Sequence, residues 1–299
     1  MEILITGANG FLGREIVNSL KNENSIKTLS RTSGDFKFFL EDEIPDFRQK
    51  FDLVIHAAGK AHNVPRTDEE KKKFHNVNVI GTENLLTGLA KFEFPNQFIY
   101  ISSVSVYGMD SGTNIDENYP LNAKDPYGLS KIEAEKIVVK WCTENNIICT
   151  ILRLPLLVGK NPPGNLGSML KGIRKGYYFN IQEGKARKSM VLISDIASFI
   201  IKASPIGGIY NLTDCNHPSF GELSNVISEK MGKRKPLSLP SWIAKVLGKL
   251  GDFLGDKSPI NSLKVNKIVS DLTFDDTKAK VSLNWKPNSV IDYLRNNDL

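Results

Sequence analysis

Cysteine is scarce in this chain: Cys142, Cys149 and Cys215 are the only three in 299 residues. Their irregular spacing makes neither a disulfide framework nor a zinc site, and free thiols fit a reducing compartment. Long apolar runs are missing too. None approaches the ~20 residues that span a bilayer, so no integral membrane segment is expected. No leader precedes the first strand, which starts at Glu2, and the expected location is the cytoplasm. There is little excess charge of one sign. A net charge of +6 favours an anionic ligand, but Lys and Arg read as scattered along the chain. A nucleic-acid partner, which wants its cations on one face, is therefore set aside. Internal repeats and low-complexity tracts are also absent. What remains is ordinary globular composition, 40% hydrophobic and 24% charged, at a length that suits one large α/β unit carrying a smaller lobe.

The organising stretch is Ile3-Leu4-Ile5-Thr6-Gly7-Ala8-Asn9-Gly10-Phe11-Leu12-Gly13. Ile3 to Ile5 read as a strand buried on both faces, and Leu12, Ile16, Val17 and Leu20 carry helical spacing. Between them, Gly7 permits a tight turn, Gly10 lets backbone approach a pyrophosphate, and Gly13 lets helix pack close to strand. The helix N-terminus from Asn9 through Phe11 and Leu12 presents unpaired N–H groups and a positive dipole end to an anion. A second strand, Ile26 to Ser30, is followed by Arg31-Thr32-Ser33, with no acid until Asp35. A carboxylate there would hold a ribose 2′-hydroxyl, whereas Arg31 suits a 2′-phosphate, so NADP(H) is favoured and NAD(H) is the alternative. A third strand, Phe51 to His56, ends in Ala57, Ala58 and Gly59, whose small side chains let a cofactor lie against the backbone. His56 reads as a structural residue; His62, in the next loop, is a candidate for substrate contact. Glu69 to Leu89 reads as one long helix.

Phe98 to Ile101 form a buried strand ending in the hydroxyl pair Ser102-Ser103, at the sheet edge where ligands bind. Tyr127 and Lys131 lie four apart on a following helix and share a face. A phenol titrates near 10 and is a poor acid–base group at neutral pH. A nearby ammonium favours the phenolate, and a Ser103 hydroxyl on the same oxygen would polarise it.

Together these residues resemble the extended short-chain dehydrogenase/reductase family. The resemblance rests on Thr6-Gly7-x-x-Gly10-x-x-Gly13, Asp52 to Ala58, Asn78-Val79-x-Gly81-Thr82, Ser103-x-x-Val106-Tyr107-Gly108 and Tyr127-x-x-x-Lys131. It continues through Leu152-Arg153 to Gly159, Ser194-Asp195-Ile196-Ala197 and Leu283-Asn284-Trp285-x-Pro287. Asn284 departs from a frequent Gly, and Val158 from a frequent Tyr. The resemblance implies a doubly wound parallel sheet of Rossmann type with a smaller C-terminal substrate lobe. Residues 1–160 would bind the dinucleotide, 161–299 the substrate, with some later segments crossing back to the sheet. It implies Ser103, Tyr127 and Lys131 as the catalytic set, with Lys131 also on the nicotinamide ribose. Asn78, Ser102 and Tyr127 join the cofactor residues named above.

Nucleotide-sugar epimerases, dehydratases and 4-ketoreductases share these motifs. Val104-Ser105 stand where dehydratases carry acids, which sets elimination aside. Arg31 tilts the reading toward reduction of a 4-keto nucleotide sugar, with 4-epimerisation as the alternative and a non-catalytic cofactor sensor as the reading from another class. Ala61-His62, Arg187-Lys188-Ser189 and Leu263-x-Val265 resemble the reductase branch that makes N-acetylated 6-deoxy sugars. The resemblance also implies Asn165 on the nucleotide and Arg187 or Lys188 near its diphosphate. A homodimer is compatible with the family. A short helix is expected near Ser168 to Arg174, and Met231 to Ser258 reads as basic and loop-rich. Within it, Trp242 to Leu254 is amphipathic; a packed helix or lid is preferred there over a membrane-surface helix.

Overall fold

A computed structural model describes residues 1–61, 65, 67–253 and 262–297. Its strands are β1 (Glu2–Thr6), β2 (Ser25–Ser30), β3 (Phe36–Lys37), β4 (Leu53–His56), β5 (Gln97–Ser103), β6 (Gly112–Ile115) and β7 (Ile148–Leu154). Further along come β8 (Leu156–Val158), β9 (Asn180–Ile181), β10 (Met190–Leu192), β11 (Gly208–Asn211), β12 (Ser238–Leu239) and β13 (Leu272–Phe274). The first helices are α1 (Phe11–Leu20), α2 (Asp68–His75), α3 (Gly81–Ala90), α4 (Pro126–Glu144), α5 (Gly164–Lys175) and α6 (Ile193–Ala203). The later ones are α7 (Phe220–Lys230), α8 (Ser241–Phe253), α9 (Ser262–Val269), α10 (Thr277–Leu283) and α11 (Val290–Asn296).

Seven parallel strands form the central sheet in the order β3-β2-β1-β4-β5-β7-β11. The chain winds outward from β1 in one direction, returns, and winds outward from β4 in the other. A crevice therefore opens between the carboxyl ends of β1 and β4, the switch point where doubly wound sheets bind ligands. Side chains alternate across the sheet. Ile3 and Ile5 pack with Leu12 and Ile16 of α1 and Ile196 and Ile200 of α6. Leu4 points the other way, toward Leu85 and Leu89 of α3 and Ala134 and Val138 of α4. Burial on both faces is why β1 and β4 read as continuous apolar runs.

The C-terminal lobe has its own core, where Leu166, Met169 and Ile173 of α5 meet Leu223 and Ile227 of α7 and Val290 and Leu294 of α11. Both α6 and β11 return to the central sheet, so the lobe is assembled from segments that alternate with it. Asn284 has φ 53° at the C-cap of α10; Asn tolerates that left-handed conformation, which accounts for its standing where Gly is frequent.

Several expected elements differ. The single helix Glu69 to Leu89 is two α-helices joined by a π-helical turn, Asn76–Ile80. Period alone cannot show one inserted residue, and such turns gather at functional sites. The helix expected at Ser168 to Arg174 starts earlier, at Gly164. The helix preferred at Trp242 to Leu254 is present as α8, one residue earlier at its start.

Candidate active site

The turn after β1 is the tightest point of the molecule. Gly7 sits at φ 68°, and a Cβ there would lie 2.6 Å from the Ala58 nitrogen. A Cβ on Gly13 would lie 2.1 Å from the Gly7 oxygen, so only glycine lets α1 close onto the turn. The Gly10 N–H donates to the Gly7 carbonyl at 2.9 Å, and the first helical bond runs from the Arg14 N–H to Gly10. Among the described residues, no side chain caps α1 and its first turn holds no acid. The Phe11 and Leu12 N–H groups therefore face the crevice without a protein acceptor, which fits a bound diphosphate. Asn9 Nδ2 donates to Ser30 Oγ (2.9 Å) and Ser33 Oγ (2.8 Å), stitching this turn to the end of β2.

Arg31 extends from that same end, half-exposed, with its Nη2 on Glu41 Oε1 at 2.6 Å. Asp35, the first acid after β2, accepts from the Thr28 N–H and hydroxyl, both at 2.9 Å. It is thus held back along the strand, leaving Asn9, Ser30, Ser33 and Arg31 at the crevice mouth.

A buried hydrogen-bond chain fixes the opposite wall. His56 Nδ1 lies 2.6 Å from Thr6 Oγ1, and its Nε2 lies 2.9 Å from Thr82 Oγ1. The Thr82 hydroxyl donates to the Asn78 carbonyl at 2.6 Å, so it accepts from Nε2–H. Nδ1 is then the acceptor, taking the Thr6 proton, while Thr6 Oγ1 itself accepts the Ala58 N–H at 3.2 Å. Burial holds the imidazole neutral, its pKa pushed down to about 3. The π turn aims Asn78 at the same loop. Its Oδ1 accepts the Lys60 N–H (2.7 Å), and its Nδ2 donates to the Lys60 carbonyl (3.1 Å) and Ser130 Oγ (2.8 Å). A Cβ on Gly59 would stand 3.2 Å from Asn78 Oδ1. Ala57, Ala58 and Gly59 are thereby presented as a smooth surface.

At the end of β5, Ser103 caps the short 3-10 helix Val104–Tyr107, accepting the Ser105 N–H at 3.2 Å. Asp125 caps α4 and accepts from the Tyr127 and Gly128 N–H groups, with Pro126 in the first turn. Gly128 makes the approach possible, because a Cβ there would lie 2.8 Å from the Ser105 oxygen and 2.4 Å from Ala123 Cβ. The Tyr127 phenol is thereby set beside Ser103, whose hydroxyl donates to Ser105 Oγ at 3.1 Å. Burial raises the phenol pKa, and the neighbouring Ser103 hydroxyl opposes the rise. Lys131 lies one turn further along α4. Its Nζ donates to the Ile101 carbonyl at 2.7 Å and sits 4.1 Å over the Tyr100 ring. Burial brings its pKa down to about 7, with Glu135 opposing. Sharing a helix face with Tyr127 brings Lys131 to the sheet edge.

Below this edge lies a network that motif reading missed. Ser102 donates to Glu135 Oε1, and Arg153 grips the same carboxylate through Nε (3.1 Å) and Nη2 (2.8 Å), all buried. Arg153 Nη1 donates to the Tyr107 hydroxyl (3.1 Å), which donates to Asn211 Oδ1 (2.8 Å). The signal was available in principle: Glu135 follows Lys131 by four residues, on the face that carries Tyr127.

The described substrate-side candidates each have their own surroundings. Asn165 is exposed in the first turn of α5. Arg187 is half-exposed, with Nη1 on the His217 carbonyl (3.1 Å) and near Glu222 (3.5 Å). Lys188 is buried and donates to the Lys267 carbonyl at the end of α9 (2.9 Å). His62 lies outside the described residues.

A doubly wound sheet, a glycine turn shaped for a diphosphate and a Ser–Tyr pair at the adjacent edge define a dinucleotide-dependent enzyme of the oxidoreductase type. The chain belongs to the NAD dependent epimerase/dehydratase family, matching it over residues 3–212. It is 30% identical to N-acetyl-α-D-glucosaminyl-diphospho-ditrans,octacis-undecaprenol 4-epimerase of Escherichia coli O157:H7, over 94% of this chain and 89% of that protein. Among solved structures it is similar to UDP-glucose 4-epimerase of Thermotoga maritima with UDP-glucose (TM-score 0.76, 22% identity, 99% of this chain and 96% of that one). It is likewise similar to RMD of Pseudomonas aeruginosa complexed with NADPH (TM-score 0.75, 20% identity, 98% and 96%).

Proposed function

We propose that this enzyme reduces a 4-keto nucleotide sugar, with NADP(H) as its nicotinamide cofactor. The observation that carries this reading is the end of β2, where Asp35 is occupied by Thr28 and the crevice mouth holds Arg31, Ser30 and Ser33 instead of a free carboxylate. When bound, the nicotinamide supplies the hydride. The chain's own residues do the rest. The N-terminus of α1 holds the diphosphate, Asn78 and His56 fix the wall of the crevice, and Lys131 contacts the ribose. Tyr127 hands its hydroxyl proton to the oxygen at carbon 4, and the Ser103 hydroxyl stabilises the charge that develops there. Three free cysteines support a cytoplasmic setting.

A second reading is 4-epimerisation, favoured by the contact of Arg31 with Glu41, which holds the cation away from an incoming 2′-phosphate. Epimerases are prominent among the similar proteins, one acting on a UDP-sugar and one on a lipid-diphosphate sugar. Labelled cofactor separates the two. A 4-keto nucleotide sugar with deuterated NADPH is expected to give product deuterated at carbon 4, with one cofactor oxidised per turnover. Interconversion of two 4-hydroxy sugars with no label uptake would establish the epimerase. Tyr127→Phe is expected to lower turnover by about 10²-fold or more while keeping cofactor binding.

A further inference from the structure

The basic residues are not scattered once the chain is folded. Residues 160–182 hold four cations and 230–251 hold six, with no Asp or Glu in either segment. Because the whole chain carries only +6, everything outside these segments is net negative. Strand pairing joins the two: β9 runs beside β12, Asn180 stands opposite Ser238, and the Asn180 N–H donates to the Leu237 carbonyl at 2.9 Å. Among the described residues, Lys175, Lys233, Arg234, Lys235 and Lys249 are exposed and have no ion-pair partner. Arg187 and Lys267, by contrast, do have one.

The same joint carries large apolar groups in the open. Exposure is 55% for Tyr177, 46% for Phe179, 72% for Leu237, 66% for Trp242 and 50% for Val246. On α8, Trp242, Val246 and Lys249 follow one another at helical spacing on the outer face, while Ala244 is buried on the inner one. The expectation of a packed helix thus holds only for one side of α8.

We propose that this face, formed by Tyr177 and Phe179, Lys233 to Leu237 and the outer side of α8, docks on a bilayer leaflet rich in anionic headgroups. Each component matches a layer of that surface. Trp and Tyr favour the headgroup level, aliphatic side chains reach the acyl boundary, and unpaired cations meet the anionic phosphates. Leu237 and Val246 argue for a lipid surface over a nucleic acid, because a phosphate backbone offers exposed aliphatics nothing to bury against. Among the described residues, no helix is long and apolar enough to cross the membrane. The contact is one of lying on the surface.

Flotation of the full chain with vesicles tests this directly. Vesicles of equimolar phosphatidylcholine and phosphatidylglycerol are expected to carry the protein at low salt and release it as salt rises, whereas pure phosphatidylcholine carries little. Lys233→Gln, Arg234→Gln and Lys235→Gln combined should lower partitioning by roughly a hundredfold, about fivefold for each charge. Leu237→Ala with Trp242→Ala should lower it by about tenfold. Melting temperature and cofactor binding, which these surface residues do not touch, verify that the variants fold. No partitioning onto anionic vesicles at low salt would overturn the proposal. Vesicle binding indifferent to the apolar pair, with tighter binding to a short DNA duplex, would also overturn it and mark a site for an anionic polymer.

Discussion

His56 should make the cofactor wall acid-labile. The neutral imidazole closes a chain in which Thr6 donates to Nδ1 and Nε2–H donates to Thr82. A proton on Nδ1 would face the Thr6 oxygen, which already accepts the Ala58 N–H. The folded pKa lies near about 3 against 6.5 for the free side chain, so the folded state binds fewer protons than the unfolded one between those values. The sign follows: the stability linked to neutral His56 is fully present above about pH 6.5 and is lost as pH falls toward 3. Between about pH 6.5 and 4.5 the loss from this one group is about 2 kcal/mol. His56→Gln keeps a donor and an acceptor but cannot titrate. It should be less stable than wild type at neutral pH, by about 1–3 kcal/mol for imperfectly paired threonines, and flatter with pH. Urea unfolding of both proteins across that range measures the difference in slope. The imidazole resonance missing from the His56→Gln spectrum identifies His56 in wild type, and it should not shift above about pH 4. Parallel stability curves, or a His56 signal titrating near pH 6, would refute the reasoning.

Gly13→Ala should abolish detectable cofactor binding while the fold persists with α1 displaced, since its Cβ would meet the Gly7 oxygen at 2.1 Å; isothermal titration with NADPH and NADH measures it. Glu135→Gln leaves Arg153 as a buried cation with a neutral partner, and should cost about 3–5 kcal/mol of unfolding free energy. Loss of under about 1 kcal/mol in a denaturant titration would show that the pair is better solvated than its geometry implies. Arg31→Asp should weaken NADP(H) roughly tenfold more than NAD(H), as a charge-assisted contact to the 2′-phosphate is lost. Equal effects on the two cofactors would place Arg31 permanently with Glu41.

Much of this protein could be read from local pattern alone. Ile3 to Ile5 followed by glycines at positions 7, 10 and 13 announced a buried strand, a phosphate-sized turn and a closely packed helix. Those features depend on backbone conformation and side-chain size within a dozen residues, which sequence states directly. Ser103 and Tyr127 were legible for the same reason, each sitting at the end of a regular element. The close approach of their two elements was not, because it depends on Gly128 fitting between Ala123 and the Ser105 carbonyl.

Tertiary structure decided the properties that depend on distant groups meeting. The spacing of Tyr127 and Lys131 put an ammonium and a phenol on one helix face, and packing gives Lys131 the Ile101 carbonyl and the Tyr100 ring as partners. Neither partner belongs to the motif. His56 is neutral because packing buries it, between Thr6 and Thr82, 50 and 26 residues away, and near the Lys131 charge. The charge of the lobe shows the same division. Along the chain its cations are spread over segments 160–182 and 230–251, and the pairing of β9 with β12 brings the two segments side by side. Sequence determines what each residue can do within reach of its own backbone. Which groups are brought into that reach, in what dielectric and beside which neighbour, is set by long-range packing of the sheet and its helices.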